Sequence, residues 1–252
     1  MDLQLTDKCA LVTGGSRGIG KAIARSLALE GCDVAIMARG REALEQTAEA
    51  LANETGRRIV PVVGDTGDEV SVARCVTEAV NQLGRLDILV NNAAVAGGQA
   101  PPPKLAEITD EAFWSDVNVK VLGYVRCARE VAPHMIRQGW GRIVNVGGLA
   151  ARSAGSTITS MRNVSIVALT KNLAEELGPH GINVTCVHPG GTVTERTTSE
   201  AAQRMADTTT VRRAITAQDV AHVVTFLASP LSLAITGDVI PAGGGVNRSI
   251  YY

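Results

Sequence analysis

Eight residues near the start of the chain, Thr13-Gly14-Gly15-Ser16-Arg17-Gly18-Ile19-Gly20, constrain what it can fold into more than any other segment. They follow an apolar run of strand length, Cys9–Thr13, and lead directly into Ile19–Glu30, where apolar residues recur at helical spacing. Glycines let the backbone turn tightly and leave it open to close approach. The helix that starts at their end offers unpaired N–H groups and a partial positive charge. A strand, a glycine turn and a helix in this order suit the pyrophosphate of a dinucleotide. The spacing is G-x-x-x-G-x-G, and a structural turn without ligand is the alternative.

The rest of the chain repeats this rhythm. Strand candidates are Cys9–Thr13, Asp33–Ala38, Arg58–Val63, Leu86–Asn91, Arg142–Val146, Asn183–His188 and Asp238–Pro241. Most are continuous apolar runs, as expected of parallel strands covered on both faces. Amphipathic stretches lie between them: Ile19–Glu30, Arg41–Glu54, Val70–Leu83, Thr159–Leu177 and the shorter Ala217–Leu227. The alternation predicts an α/β, Rossmann-type, doubly wound parallel sheet of about seven strands with helices on both faces. With 252 residues, 45% of them hydrophobic, the chain suits one domain, residues 1–252.

Several function classes are disfavoured. The net charge is −1 and no Lys/Arg block occurs, which argues against a nucleic-acid partner. No apolar stretch approaches the ~18–20 residues that span a bilayer, so no membrane partner is expected. Cys9, Cys32, Cys75, Cys127 and Cys186 are odd in number and scattered, without C-x-x-C spacing. They read as reduced core thiols of a cytoplasmic protein, with no metal site and no secretion signal. The run Gly97-Gly98-Gln99-Ala100-Pro101-Pro102-Pro103 reads as a surface loop. Residues 192–210, rich in Thr, Ser, Glu and Arg after a strand end, read as a substrate lid or a plain solvated loop or helix.

Further motifs carry a family resemblance. Thr13-Gly14-x-x-x-Gly18-x-Gly20, Asp65-Thr66 after the third strand, Asn91-Asn92-Ala93-Ala94, Pro189-Gly190-Gly191-Thr192-Val193-Thr194, Ile235-Thr236-Gly237-Asp238 and Gly243-Gly244-Gly245 together resemble the short-chain dehydrogenase/reductase family, from about Leu5 to Val246. The resemblance implies a nicotinamide coenzyme, a small-molecule substrate and a homotetramer or homodimer. It implies coenzyme contacts at Gly14, Ser16, Arg17, Gly18, Ile19, Gly20, Arg39, Asp65, Thr66, Asn91, Ala93, Asn163, Pro189, Gly190, Thr192 and Thr194.

Coenzyme choice follows from charge. NAD sites place an acid at the end of the second strand to accept from the ribose hydroxyls. Here that strand ends Met37-Ala38-Arg39-Gly40-Arg41, without an acid. Arg39, with Arg17 in the glycine turn, suits a 2′-phosphate, which guanidinium groups bind with paired hydrogen bonds. NADP(H) is therefore preferred over NAD(H); solvated surface charges are the alternative for both arginines.

The family's chemistry uses Asn, Ser, Tyr and Lys, the last two four residues apart on one helix face. Counting back from Ala168–Gly178 puts Thr159 at the Tyr position and Asn163 at the Lys position. Gly147 or Gly148 holds the Ser position, and Asn118 matches the Asn. A threonine hydroxyl is a far poorer acid than a phenol, and an asparagine carries no charge. Arg162, three residues after Thr159, reads as a clamp for a carboxylate or enolate, or as an ion pair or subunit contact. Candidate catalytic residues are thus Asn118, Thr159, Arg162 and Asn163. His188 reads as a strand-end structural histidine or a neighbour of the nicotinamide; Tyr124 packs in the helix after Asn118; Tyr251 and Tyr252 read as an interface anchor or frayed tail. Three functions remain open: an NADP(H)-dependent enzyme with a modified site reducing an activated C=O or C=C bond of a small, anionic substrate; a nucleotide-binding pseudoenzyme or partner subunit; and non-redox lyase or hydrolytic chemistry.

Overall fold

Strands that are apolar at both odd and even positions need a cover on each face, and the structure supplies two. This computed structural model describes residues 1–95 and 101–246. Residues 97–100 of the expected surface loop, and Tyr251 and Tyr252, lie outside the described residues.

Seven strands form one parallel sheet: β1 Cys9–Thr13, β2 Asp33–Ala38, β3 Ile59–Val63, β4 Ile88–Asn91, β5 Gly141–Val146, β6 Ile182–Pro189 and, last in the chain, β9 Val239–Ala242. Their order is β3-β2-β1-β4-β5-β6-β9, every neighbouring pair parallel. A two-stranded ribbon, β7 Thr192–Val193 with β8 Ile215–Thr216, lies apart from it. The helices are α1 Gly18–Leu29, α2 Arg41–Thr55, α3 Glu69–Leu83, α4 Asp110–Val117, α5 Gly123–Gln138, α6 Thr157–Leu177, α7 Ser199–Thr208 and α8 Ala217–Leu227. A π-helical turn, Asn118–Leu122, joins α4 to α5.

Successive strand residues face opposite covers. Ala10 and Val12 of β1 pack with Ile23 and Leu27 of α1, Leu44 of α2 and Val224 of α8. Cys9 and Leu11 pack on the other face with Val72 and Val76 of α3, Val131 of α5 and Leu177 of α6. The predicted α/β doubly wound fold is therefore the observed one; the seven strands and five helices whose bounds were expected end within two residues of them, and α4, α5, α7 and the β7–β8 ribbon are additional. All five cysteines are buried and unpaired. Among the described residues, no helix is long and apolar enough to cross a membrane.

The winding reverses between β1 and β4, which opens a crevice at the carboxyl ends of these two strands. Beneath it a polar thread crosses the core. Asn91 Nδ2 donates to Asn145 Oδ1 at 3.0 Å, and Asn145 Nδ2 donates to Thr170 Oγ1 at 3.0 Å. Thr170 on α6 in turn donates to the Ile166 carbonyl at 2.8 Å. All three side chains are buried. Replacing Thr170→Val keeps the shape but leaves the Asn145 amide without its acceptor. The expected cost is about 1–3 kcal/mol, read as a lower denaturant midpoint with unchanged slope.

Candidate functional site

The glycine turn is held by contacts that exclude larger residues. Gly14 and Gly18 lie at φ +68° and +56°. A Cβ on Gly20 would sit 2.2 Å from the Gly14 carbonyl oxygen and 2.6 Å from Asn92 Nδ2. Asn92, just past β4, stitches the turn to the sheet. Its amide donates to the Thr13 carbonyl at 3.0 Å and the Gly14 carbonyl at 3.3 Å. The Thr13 hydroxyl accepts from the N–H groups of Asn92 and Ala93.

The end of α1 accepts an anion. The Glu195 carboxylate takes the Gly18 N–H at 3.0 and 3.2 Å, where helix dipole and free donors favour negative charge. Beside it opens a cleft of about 420 Å³. Its wall includes Gly14, Ser16, Arg17, Arg39, Asp65, Thr66 and Ala93. Arg39 is largely exposed, its guanidinium 3.9 Å from Asp65. A second cavity, on the other side of the α1 terminus, is walled by Ser16, Gly18, Thr194 and Glu195. A bare glycine cradle, a helix end that takes a carboxylate and two arginines at the cleft fit a phosphate-bearing dinucleotide. Pro189, Gly190, Thr192 and Thr194 follow one another at the end of β6, and Ile19 lies in the first turn of α1.

Of the other expected coenzyme contacts, Gly18 and Thr194 line the second cavity, whereas Ile19, Gly20, Asn91, Asn163, Pro189, Gly190 and Thr192 are in neither wall. Asn91 is fully buried in the sheet, bonded to Asn145, and does not line the cleft; Asn92 lines it instead. The side chain turned inward because position 91 is still strand, where successive residues alternate faces.

Thr159, Arg162 and Asn163 all lie on α6, but they have different neighbours. The Thr159 hydroxyl accepts from Ser156 Oγ at 3.0 Å. Asn163 is buried, and its Nδ2 donates to the Thr159 carbonyl at 2.9 Å. Arg162 is bound through one nitrogen to both carboxylate oxygens of Asp116 at 2.7 and 2.6 Å. The ion-pair alternative is what the structure shows, and the charge expected to clamp a substrate carboxylate is neutralised by α4. Asn118 is also engaged: it donates to the Gly67 carbonyl at 2.9 Å and accepts from Arg126 at 2.8 Å. It braces the π turn against the loop after β3 and the side of α5.

Sequence reasoning missed Lys120. This lysine sits on the π turn and is 4% exposed. Its Nζ donates to Asn163 Oδ1 at 2.9 Å and to the Gly147 carbonyl at 3.0 Å. Burial, with the Arg162 charge second, lowers its pKa from 10.5 to about 7. The available signal was a single cation inside the otherwise apolar Val119-Lys120-Val121-Leu122. His188 is fully buried, with neither ring nitrogen hydrogen-bonded among the described residues. Burial, with the Arg152 and Lys120 charges after it, lowers its pKa to about 4. Tyr124 is buried in α5 and donates to the Val146 carbonyl at 2.9 Å.

Comparison with known proteins agrees with this geometry. Residues 14–247 match the family model described as enoyl-(acyl carrier protein) reductase. The chain is 34% identical to the 3-oxoacyl-(acyl-carrier-protein) reductase FabG of Aquifex aeolicus, over 98% of this chain and 100% of that protein. A short-chain dehydrogenase from Burkholderia cenocepacia, solved with NADP, is 33% identical with a TM-score of 0.85, covering 96% of this chain and 98% of its own. L-sorbose reductase from Gluconobacter frateurii, solved with NADPH and L-sorbose, is 27% identical with a TM-score of 0.89, covering 99% and 100%.

The Lys120 shift has a thermodynamic sign. Between pH about 7 and 10.5 the unfolded chain holds a proton on this amine that the folded chain has released. Stability therefore rises with pH across that window, and the full cost of a buried charge is felt below it. The Lys120→Met variant is expected to lose this component of the slope in denaturant unfolding measured at several pH values; an unchanged slope contradicts the assignment.

Proposed function

The chain belongs to the short-chain dehydrogenase/reductase family, and on that premise we propose that it is an NADP(H)-dependent oxidoreductase with a modified catalytic corner. Its substrate is a small molecule carrying an activated C=O or C=C bond. The observation that carries this reading is the glycine cradle opening onto a cleft with Arg17 and Arg39 in its wall and no acid at the end of β2. Relatives that reduce oxoacyl and sugar carbonyls, and a family model described for enoyl reduction, support both bond types.

The bound coenzyme supplies a hydride. The chain's own residues do the rest. Gly18, Ile19 and Gly20, at the start of α1, would offer backbone N–H groups to the pyrophosphate, which would take the place of the Glu195 carboxylate at Gly18; Gly14, whose own N–H is taken by the Met37 carbonyl, would give close approach. Arg17 and Arg39 would take the 2′-phosphate, and Asp65 and Thr66 would hold the adenine end. Pro189, Gly190, Thr192 and Thr194 would hold the nicotinamide end, and the segment 192–210, which contains α7, would cover the substrate. Thr159, with Ser156 donating to it, presents a hydroxyl where the family places a phenol. The substrate's charge is left open, because the anionic expectation rested on Arg162, now paired with Asp116.

The exchanges at 147 or 148, 159 and 163 favour a second reading, a nucleotide-binding subunit without catalysis. Coenzyme binding is common to both, so turnover against ketone and enone panels separates them. For the coenzyme itself, fluorescence titration is expected to show NADPH bound more tightly than NADH. Arg39→Ala should weaken NADPH on the order of tenfold and leave NADH nearly unchanged. No affinity for either coenzyme overturns the proposal.

Self-association is also proposed. Val125 on α5 and Met161 and Val164 on α6 are exposed apolar residues on two helices that pack together. Light scattering is expected to give a dimer or tetramer, with Val164→Asp shifting the mass toward a monomer; a monomeric wild type contradicts the expectation.

A further inference from the structure

The start of α1 is already occupied by an anion of the chain itself. Both oxygens of the Glu195 carboxylate share the Gly18 N–H, at 3.0 and 3.2 Å. Gly18 is the first residue of the helix, and Arg17 before it makes no side-chain bond to the helix end. A pyrophosphate bound here meets that carboxylate at the same N–H group and the same partial positive charge, and the two anions exclude each other. Glu195 stands on a tight turn. The Thr197 N–H donates to the Thr194 carbonyl, and the Thr194 N–H donates to Thr197 Oγ1, both at 3.0 Å. Its side chain is exposed, so it can change rotamer without breaking that turn.

A carboxylate expelled by a diphosphate needs a place to go and a positive charge to meet. The second cavity offers both. It holds about 420 Å³, it meets the coenzyme cleft at Ser16, and Lys21, Arg25 and Glu195 are in its wall. Arg25 is committed to Glu54 on α2 and to Gln218 on α8. Arg17 lies in the wall of the cleft and not of this cavity, so it is left to the coenzyme. Lys21, three residues into α1 from Gly18, is exposed and acts on Glu54 through space. Among the described residues it forms no ion pair.

We propose that Glu195 is a latch with two positions. Without coenzyme its carboxylate closes the start of α1 at Gly18. When the pyrophosphate arrives, the carboxylate swings into the second cavity and pairs with Lys21. This rests on the oxidoreductase reading of the neighbouring cleft. Because Glu195 lies near the start of the segment 192–210, the exchange ties coenzyme binding to the release of that segment from α1. The latch lowers coenzyme affinity, and Lys21 returns part of the loss.

The test titrates NADPH by fluorescence and inorganic pyrophosphate by calorimetry, and follows the Gly18 amide by NMR. Wild type is compared with Glu195→Gln, Glu195→Ala, Lys21→Met and the double variant Lys21→Met/Glu195→Gln. With no ligand present, Glu195→Ala should move the Gly18 amide proton upfield, as loss of a bond to a carboxylate requires. Both Glu195 variants should bind NADPH and pyrophosphate about two- to fivefold more tightly, the span of one charge at a helix end. Lys21→Met should weaken both ligands about twofold, the scale of an exposed ion pair, and should have no effect once Glu195 is Gln. The proposal is overturned if the Gly18 amide is the same in Glu195→Ala, or if neither Glu195 variant tightens either ligand. It is also overturned if Lys21→Met changes nothing, or if its loss persists in the double variant, since Lys21 then meets the phosphates directly. If no variant binds NADPH while pyrophosphate follows the expected order, the oxidoreductase reading falls and the latch stands. If all variants bind NADPH equally, the latch falls and the reading stands.

Discussion

A carbonyl oxygen and a helical Cα with no room for one more carbon between them organise this molecule. The Gly14 carbonyl and Gly20 approach so closely that a methyl group on Gly20 would overlap the oxygen at 2.2 Å. That approach lets α1 start directly at the tip of the central strand, with its N–H groups turned toward the crevice. Asn92 then locks the arrangement from β4, donating to the carbonyls of both Thr13 and Gly14. Because β1 and β4 flank the point where the winding reverses, one contact fixes both the helix end and the crevice it serves.

The sheet was legible because both of its faces are buried. A strand such as Val34-Ala35-Ile36-Met37 is apolar throughout, and that pattern belongs to parallel strands between helix layers. The segment from α4 through α5 was harder to read. Its π turn adds a residue to the helical repeat, and Pro133 interrupts the hydrogen-bond ladder within α5, so the apolar spacing drifts. The misplacement of Asn91 arose at the end of β4, where a shift of one position exchanges a cleft residue for a core residue. The two-stranded ribbon of β7 and β8 joins residues more than twenty positions apart through two pairs, too little to leave a sequence pattern.

The coenzyme half of the site was legible because its chemistry is local: glycines, a helix start and nearby arginines lie in short continuous segments. The catalytic half is assembled from distant pieces. Lys120 meets Asn163 and Gly147, and Asp116 meets Arg162, across separations that no spacing rule covers. Seen from the sequence, Arg162 is a lone cation on a helix face; in the fold it is already partnered. A charged residue on an element that packs against another element cannot be assigned a role from its own helix alone.

The same packing decides which glycine holds the position of the family's serine. A Cβ on Gly147 would meet the His188 ring at 2.5 and 2.6 Å. That ring is fully buried, and nothing shows room for it to retreat, so position 147 is glycine because His188 fills its side-chain space. Gly148 differs: a Cβ there meets Asn163 Nδ2 at 3.0 Å, a tight contact with the tip of a side chain. A hydroxyl at 148 would therefore arrive beside the Asn163 amide, whose oxygen accepts from Lys120. Of the two glycines, 148 is therefore the one whose surroundings could yield to a serine side chain.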